Sequence, residues 1–68
     1  MKYDLKNNFT YHPPKGDQPK RYEILRAKAL ELAEMIDELV PESREKSLAM
    51  TNLEQTVMWA NAGIARNE

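Results

Sequence analysis

Pro41 stands between two long runs of apolar residues set at helical spacing, and it constrains the topology more than any other residue. Proline has a fixed φ and no amide hydrogen, so it ends one helix or opens the next but does not sit inside either. Before it, Tyr22, Leu25, Ala29, Leu32, Ile36 and Leu39 recur at alternating spacings of three and four, a heptad seam. Ile24, Leu30, Ala33, Met35 and Val40 widen that stripe. After it, Ala49, Leu53, Thr56 or Val57, Ala60, and Gly63 or Ile64 repeat the spacing, with Leu48, Met50, Met58, Trp59 and Ala62 off the seam. Two helices, over about 18–39 and 42–66, joined by so short a connection must be antiparallel neighbours.

The apolar surface is wider than one hairpin can use. A single seam takes about two positions in seven, and these helices offer about four. With 68 residues the core is marginal, and domains this small lean on disulfides, metals or partner chains. Cysteine is absent, so disulfides and thiolate metal sites are excluded; His12, the single histidine, cannot build a metal site by itself, and no metal or cofactor is expected. The expectation is an all-α fold: an antiparallel two-helix hairpin assembled into a helical homo-oligomer. Ala49, Ala60, Ala62, Gly63 and Ala65 leave room for close helix approach, and Trp59 is a natural anchor between chains.

Residues 1–16 form an arm ahead of the hairpin at 17–68. Residues 1–8 are polar apart from Tyr3 and Leu5, and read as a short helix or a frayed end. In Phe9-Thr10-Tyr11-His12-Pro13-Pro14-Lys15-Gly16-Asp17 the prolines enforce extended geometry back through His12, and Gly16-Asp17 reads as a turn. The arm is therefore stiff and displays Phe9, Tyr11 and His12. Asp17 suits the N-cap of the first long helix, and Pro19 its first turn. Glu42 and Glu45 suit the positive end of the second, with Ser43 as an alternative cap. Glu31, Glu34, Asp37 and Glu38 make the end of the first helix acidic.

Ten basic against eleven acidic residues argue against a general duplex-DNA binder. No stretch approaches the roughly 18–20 apolar residues of a membrane span. The opening Met1-Lys2-Tyr3-Asp4-Leu5-Lys6 lacks the apolar run of a signal peptide, so a soluble intracellular chain is expected. No nucleophile, histidine and acid form a catalytic set, and no glycine-rich phosphate loop is present; His12 reads as a positioning or surface residue rather than a base. What remains is an aromatic side chain with cations: Tyr11 on the arm, Lys15, Lys20, Arg21, Arg26 and Lys28 around the start of the first long helix, and Arg66 near the end. Aromatic faces stack on bases, and arginine offers paired donors to phosphate oxygens. The plainer alternative has Tyr11 packing on the hairpin and the cations serving solubility.

Several blocks bear on that choice. The run Phe9 to Pro14, then Gly16-Asp17-Gln18, Tyr22 to Arg26, Pro41-Glu42-Ser43-Arg44-Glu45, Ser47-Leu48-Ala49, Met58-Trp59-Ala60-Asn61-Ala62 and Ile64-Ala65-Arg66 resembles, in order and spacing, the small phage anti-CBASS proteins that sequester cyclic oligonucleotides. A similar helical hairpin forms part of the anti-Thoeris signal sponges. The resemblance implies a helical homohexamer acting in the cytoplasm of an infected bacterium. It implies sequestration, without cleavage, of cyclic dinucleotides including 3′,3′-cyclic GMP-AMP, in pockets between two protomers. Tyr11 matches the tyrosine that stacks on a purine there, and Arg26 the cation that contacts phosphate. Where relatives carry lysine, arginine keeps the charge but changes the geometry of the contact. Separate pockets for cyclic trinucleotides, shared by three chains, are also implied; Arg66 is the best match for a residue there and Lys28 a weaker one. The competing expectation is a structural or protein-binding oligomeric helical module with no small-molecule ligand, which explains the wide apolar faces but gives the arm no role.

Overall fold

The computed structural model describes residues 4–68, and all regular structure within them is helical: α1 (Leu5–Asn8), α2 (Gln18–Leu39) and α3 (Arg44–Asn67). The reading of residues 1–8 as a short helix holds for Leu5–Asn8, where Asp4 caps the turn by accepting from the Asn7 amide at 3.1 Å; Met1 to Tyr3 lie outside the described residues.

The bounds of α2 are those expected from its sequence, but its cap is built differently. Asp17 holds the N-cap position without a side-chain capping bond. Its carboxylate instead lies 3.2 Å from Arg21 Nε, one turn on, without hydrogen-bond geometry. A turn at Lys15–Gln18 feeds the helix: the Gln18 amide donates to the Lys15 carbonyl at 3.1 Å, and Gly16 takes φ +58°. That left-handed conformation suits glycine, which has no Cβ to strain.

The second long helix begins at Arg44, two residues later than the expected start at 42. Ser43 explains the difference: its backbone is extended and its hydroxyl accepts from the Lys46 amide at 3.1 Å, an N-cap that leaves Pro41 and Glu42 in the connection. Pro41 has a second effect. The Asp37 carbonyl would take its helical hydrogen bond from the amide of residue 41, which proline lacks. Lys46 supplies the missing donor, with Nζ 3.0 Å from the Asp37 carbonyl, 3.0 Å from its carboxylate and 2.7 Å from Glu42 Oε1. Lys46 is one of two buried polar residues among those described, and the Glu42 and then the Asp37 contacts push its ammonium above the ordinary lysine range. Lys46→Met removes the donor and leaves a carbonyl and two carboxylates facing each other. We expect thermal unfolding to fall by roughly 5 °C, read by circular dichroism; an unchanged Tm would show that the clasp is dispensable.

The seam between α2 and α3 also departs from the heptad. The half-buried apolar positions on α2 and its C-cap are Tyr22, Leu25, Ala29, Ala33, Ile36 and Val40, while Leu32 and Leu39 are exposed. These positions cover 18 residues in five intervals, the 3.6-residue period of a straight helix rather than the 3.5 of a supercoil. On α3 the open alternatives resolve to Val57 and Ile64, with Thr56 and Gly63 facing solvent.

The molecule measures 42 × 30 × 14 Å. Its thinnest dimension is close to that of one helix with side chains, so the hairpin is a single layer with two open faces. No apolar residue among those described is fully buried. Leu30, Leu32, Met35, Leu39, Met58 and Trp59 all remain exposed, Leu39 at 70%. At 100° per residue, Leu30 falls on one side of the α2 seam and Leu32 and Leu39 on the other. Domains close a core between layers; this chain supplies one layer. On α2 and α3 no helix is long and apolar enough to cross a membrane.

Candidate functional site

The arm reaches the end of α3 and is fastened there. Asn7 Nδ2 donates to the Arg66 carbonyl at 3.0 Å, and Lys15 Nζ to the Glu68 main-chain oxygen at 2.8 Å. His12 is not displayed as expected: Nε2 lies 2.8 Å from the Asn7 carbonyl, to which it donates, so the ring braces the turn back from α1. This is the positioning role the sequence suggested for it. The Thr10 hydroxyl caps the Lys6 carbonyl of the same short turn. Pro13 and Pro14 then hold the chain extended into the Gly16 turn. Between these fixed points Phe9 and Tyr11 project outward, 86% and 79% exposed. Tyr11 borders an open depression of about 330 Å³ with Asp4, Lys6, Asn7, Thr10 and His12.

The basic cluster around the arm separates into structural and unengaged members. Arg21 Nη1 donates to Glu68 Oε2 at 2.8 Å and Nη2 to Oε1, a two-pronged contact that Gln18 Nε2 joins at 3.3 Å. Gln18 is 3% exposed, and its own Oε1 accepts from the Lys15 amide at 3.1 Å. These partners lie about fifty residues apart in sequence, joining the start of α2 to the end of α3. Lys15 and Arg21 are thus engaged, whereas Lys20 and Arg26 have no ion-pair partner among the described residues.

Hydrogen bonds from Arg21, then from Gln18, hold the Glu68 carboxyl down to about 2. An unpaired glutamate titrates near 4.3. A depressed carboxyl stabilises the fold above its unfolded value, and that contribution is lost as pH falls from about 4.3 through 2. A carboxyl-carbon NMR titration of Glu68 should have its midpoint near 2, and Arg21→Ala should return it toward the ordinary value. A midpoint near 4.3 in the unsubstituted protein would remove the clasp from the account.

Arg26 lies on the exposed surface of α2 and borders two depressions. One, of about 280 Å³, also involves Tyr22, Asn61, Ala62 and Ala65. The other, about 510 Å³, is an apolar groove between α2 and α3 with Leu30, Ala33, Leu53, Val57 and Met58 on its walls. Tyr11 borders neither, so no described depression holds both Tyr11 and Arg26. Arg66 occupies a third place, with its guanidinium 5.9 Å from the centroid of the exposed Trp59 ring and its side chain beside Asp4 and Asn7. Lys28 is exposed and 3.4 Å from Glu31, one turn on, and shares no described depression with Arg66. Reasoning from sequence passed over two features here. The seven-residue interval from Trp59 to Arg66 puts them two turns apart on one helix side, a signal in plain view. Asn61, whose Oδ1 is buried without a partner, carries no such signal.

The arrangement therefore offers a braced aromatic face and a guanidinium over an indole in neighbouring depressions that share Asp4 and Asn7, with an unengaged guanidinium at a further depression that meets the second at Ala62. Among the described residues no cluster of histidine and carboxylate could hold a metal ion. No curated protein and no solved structure matches this chain. One family does: the family model described as Acb2/Tad1, hairpin domain, matches residues 1–65, nearly the whole chain and every block noted in the sequence up to Ala65, with Arg66 just beyond the match. That match implies sponge-type binding of cyclic oligonucleotide signals in a family that sequesters nucleotides rather than turning them over, and the chain belongs to the Acb2/Tad1 hairpin-domain family.

Proposed function

We propose that this protein is a phage anti-CBASS sponge that binds 3′,3′-cyclic GMP-AMP and related cyclic dinucleotides without cleaving them. It acts as a homohexamer in the cytoplasm of the infected bacterial host and lowers the free messenger below what immune effectors need. The observation that carries this reading is the disposition of Tyr11 and Arg26: one stands exposed on a braced arm, the other has no ion-pair partner among the described residues, and they border different depressions of the chain. A cyclic dinucleotide has two bases, two phosphates and near two-fold symmetry. A pocket on a two-fold axis between two copies supplies Tyr11 and Arg26 twice over, each from one sequence position. Two stacking contacts at roughly 1–3 kcal/mol each and two charged phosphate contacts at roughly 1.5–3 kcal/mol each sum to about 5–12 kcal/mol before the costs of association. The single-layer hairpin supports the assembly side of the reading, because its open faces call for further chains. Arg66, beside Trp59, belongs to a separate cyclic trinucleotide pocket; Lys28, held by Glu31, is its weaker candidate.

Isothermal titration with a panel of cyclic di- and trinucleotides, with light scattering for mass, tests the proposal. We expect tight binding of 3′,3′-cyclic GMP-AMP to a hexamer and recovery of intact ligand after denaturation. Absence of binding at micromolar protein would overturn it, and hydrolysed ligand would convert the sponge into an enzyme. The rival structural module is favoured by the exposed apolar faces alone, and the arm variant discussed below separates the two.

A further inference from the structure

We infer that Asn61 reads a base edge of the bound cyclic dinucleotide and favours adenine, an assignment that rests on the nucleotide-binding reading of Arg26. Asn61 sits inside α3, where asparagine is a weak helix former. Its Oδ1 is buried and has no hydrogen-bond partner, and its Nδ2 makes no hydrogen bond to any described residue. A buried polar atom left unmet is costly, and such atoms call for a partner from outside the chain.

The location supplies one. Asn61 borders the same 280 Å³ depression as Arg26, whose guanidinium has no ion-pair partner among the described residues. Ala62 and Ala65 form the rest of the α3 wall, and their small side chains leave space for a flat ring. Arg26 is the long, flexible member of that wall, free to turn onto a phosphate beside the amide. The purine edge nearest its own 5′-phosphate carries N7, so a residue beside the phosphate-binding cation meets that edge. Adenine presents there an N6–H donor next to the N7 acceptor, which match the oxygen and nitrogen of one amide. Guanine presents two acceptors, O6 and N7, which leave Oδ1 unmet in either orientation of the amide.

The test compares cyclic di-AMP with cyclic di-GMP on the unsubstituted protein, Asn61→Leu and Asn61→Ala, by isothermal titration with light scattering on each. Loss of the amide removes up to four hydrogen bonds across a two-fold pocket, so it should weaken cyclic di-AMP by about 30-fold or more and leave cyclic di-GMP within about twofold. Mass should be unchanged, and thermal stability equal or higher, because the unmet acceptor is gone. Equal weakening of both ligands, or no change in either, would overturn the assignment while leaving the sponge reading standing. Loss of mass in both variants would do the same by making Asn61 a contact between copies. If the unsubstituted protein binds neither of these nor 3′,3′-cyclic GMP-AMP, both readings fall together.

Discussion

Tyr11→Ala should weaken cyclic dinucleotide binding by about 30-fold or more while leaving helical content and assembled mass unchanged. Two stacking contacts are lost at once if the pocket is two-fold, which is at least about 2 kcal/mol, and each 1.4 kcal/mol is tenfold in affinity. The separation of effects follows from where Tyr11 stands. It is 79% exposed and contributes to no seam, while the arm that carries it is held by His12 on Asn7, Asn7 on Arg66 and Lys15 on Glu68. Truncating the ring therefore leaves those fastenings in place. Tyr11→Phe keeps the face and should bind nearly as the unsubstituted protein does. Isothermal titration and light scattering on both variants decide the matter. A Tyr11→Ala protein that binds normally, or that falls apart, would favour the structural module instead.

The second large effect is expected at the apolar groove. Leu30 and Met58 flank it, 62% and 67% exposed, with Arg26 at its edge. Burying one such side chain contributes roughly 1.5–3 kcal/mol, and burying a carboxylate in its place without a partner is strongly unfavourable. Leu30→Glu combined with Met58→Glu should reduce the light-scattering mass to that of one chain at micromolar concentration. Binding of 3′,3′-cyclic GMP-AMP should disappear with it, because one chain keeps Tyr11 and Arg26 apart. An unchanged mass would show that this groove faces solvent in the assembly. Retained binding by a single chain would break the link between assembly and pocket.

Much of the backbone was legible in the sequence because its determinants are local. The bounds of α2 follow from the Gly16 turn, Pro19 and Pro41, and the antiparallel pairing from the short connection. Errors arose where side chains reached beyond their neighbours. Asp17 fits a cap by type, yet Arg21 holds its carboxylate. The start of α3 moved to Arg44 because the Ser43 hydroxyl competes successfully for the Lys46 amide. The heptad reading picked Leu32 and Leu39, where a straight helix turns Ala33 and Val40 inward. Nothing in the spacing of Lys15, Gln18 and Arg21 points to Glu68, since that meeting exists only once the hairpin has closed. For the site, residue types and the family blocks singled out Tyr11 and Arg26, but their separation on one chain is a property of the fold alone.

The absence of any fully buried apolar residue among those described has a consequence for how such a protein is populated in a cell. In the proposed assembly, mass action ties folding to abundance: the melting temperature should climb with protein concentration, and dilution alone should unfold the chain. The same linkage extends to a ligand that binds only the assembled form, since each bound molecule withdraws chains from the unfolded pool. A newly made copy would be short-lived and protease-sensitive when scarce, and durable once copies or messenger accumulate.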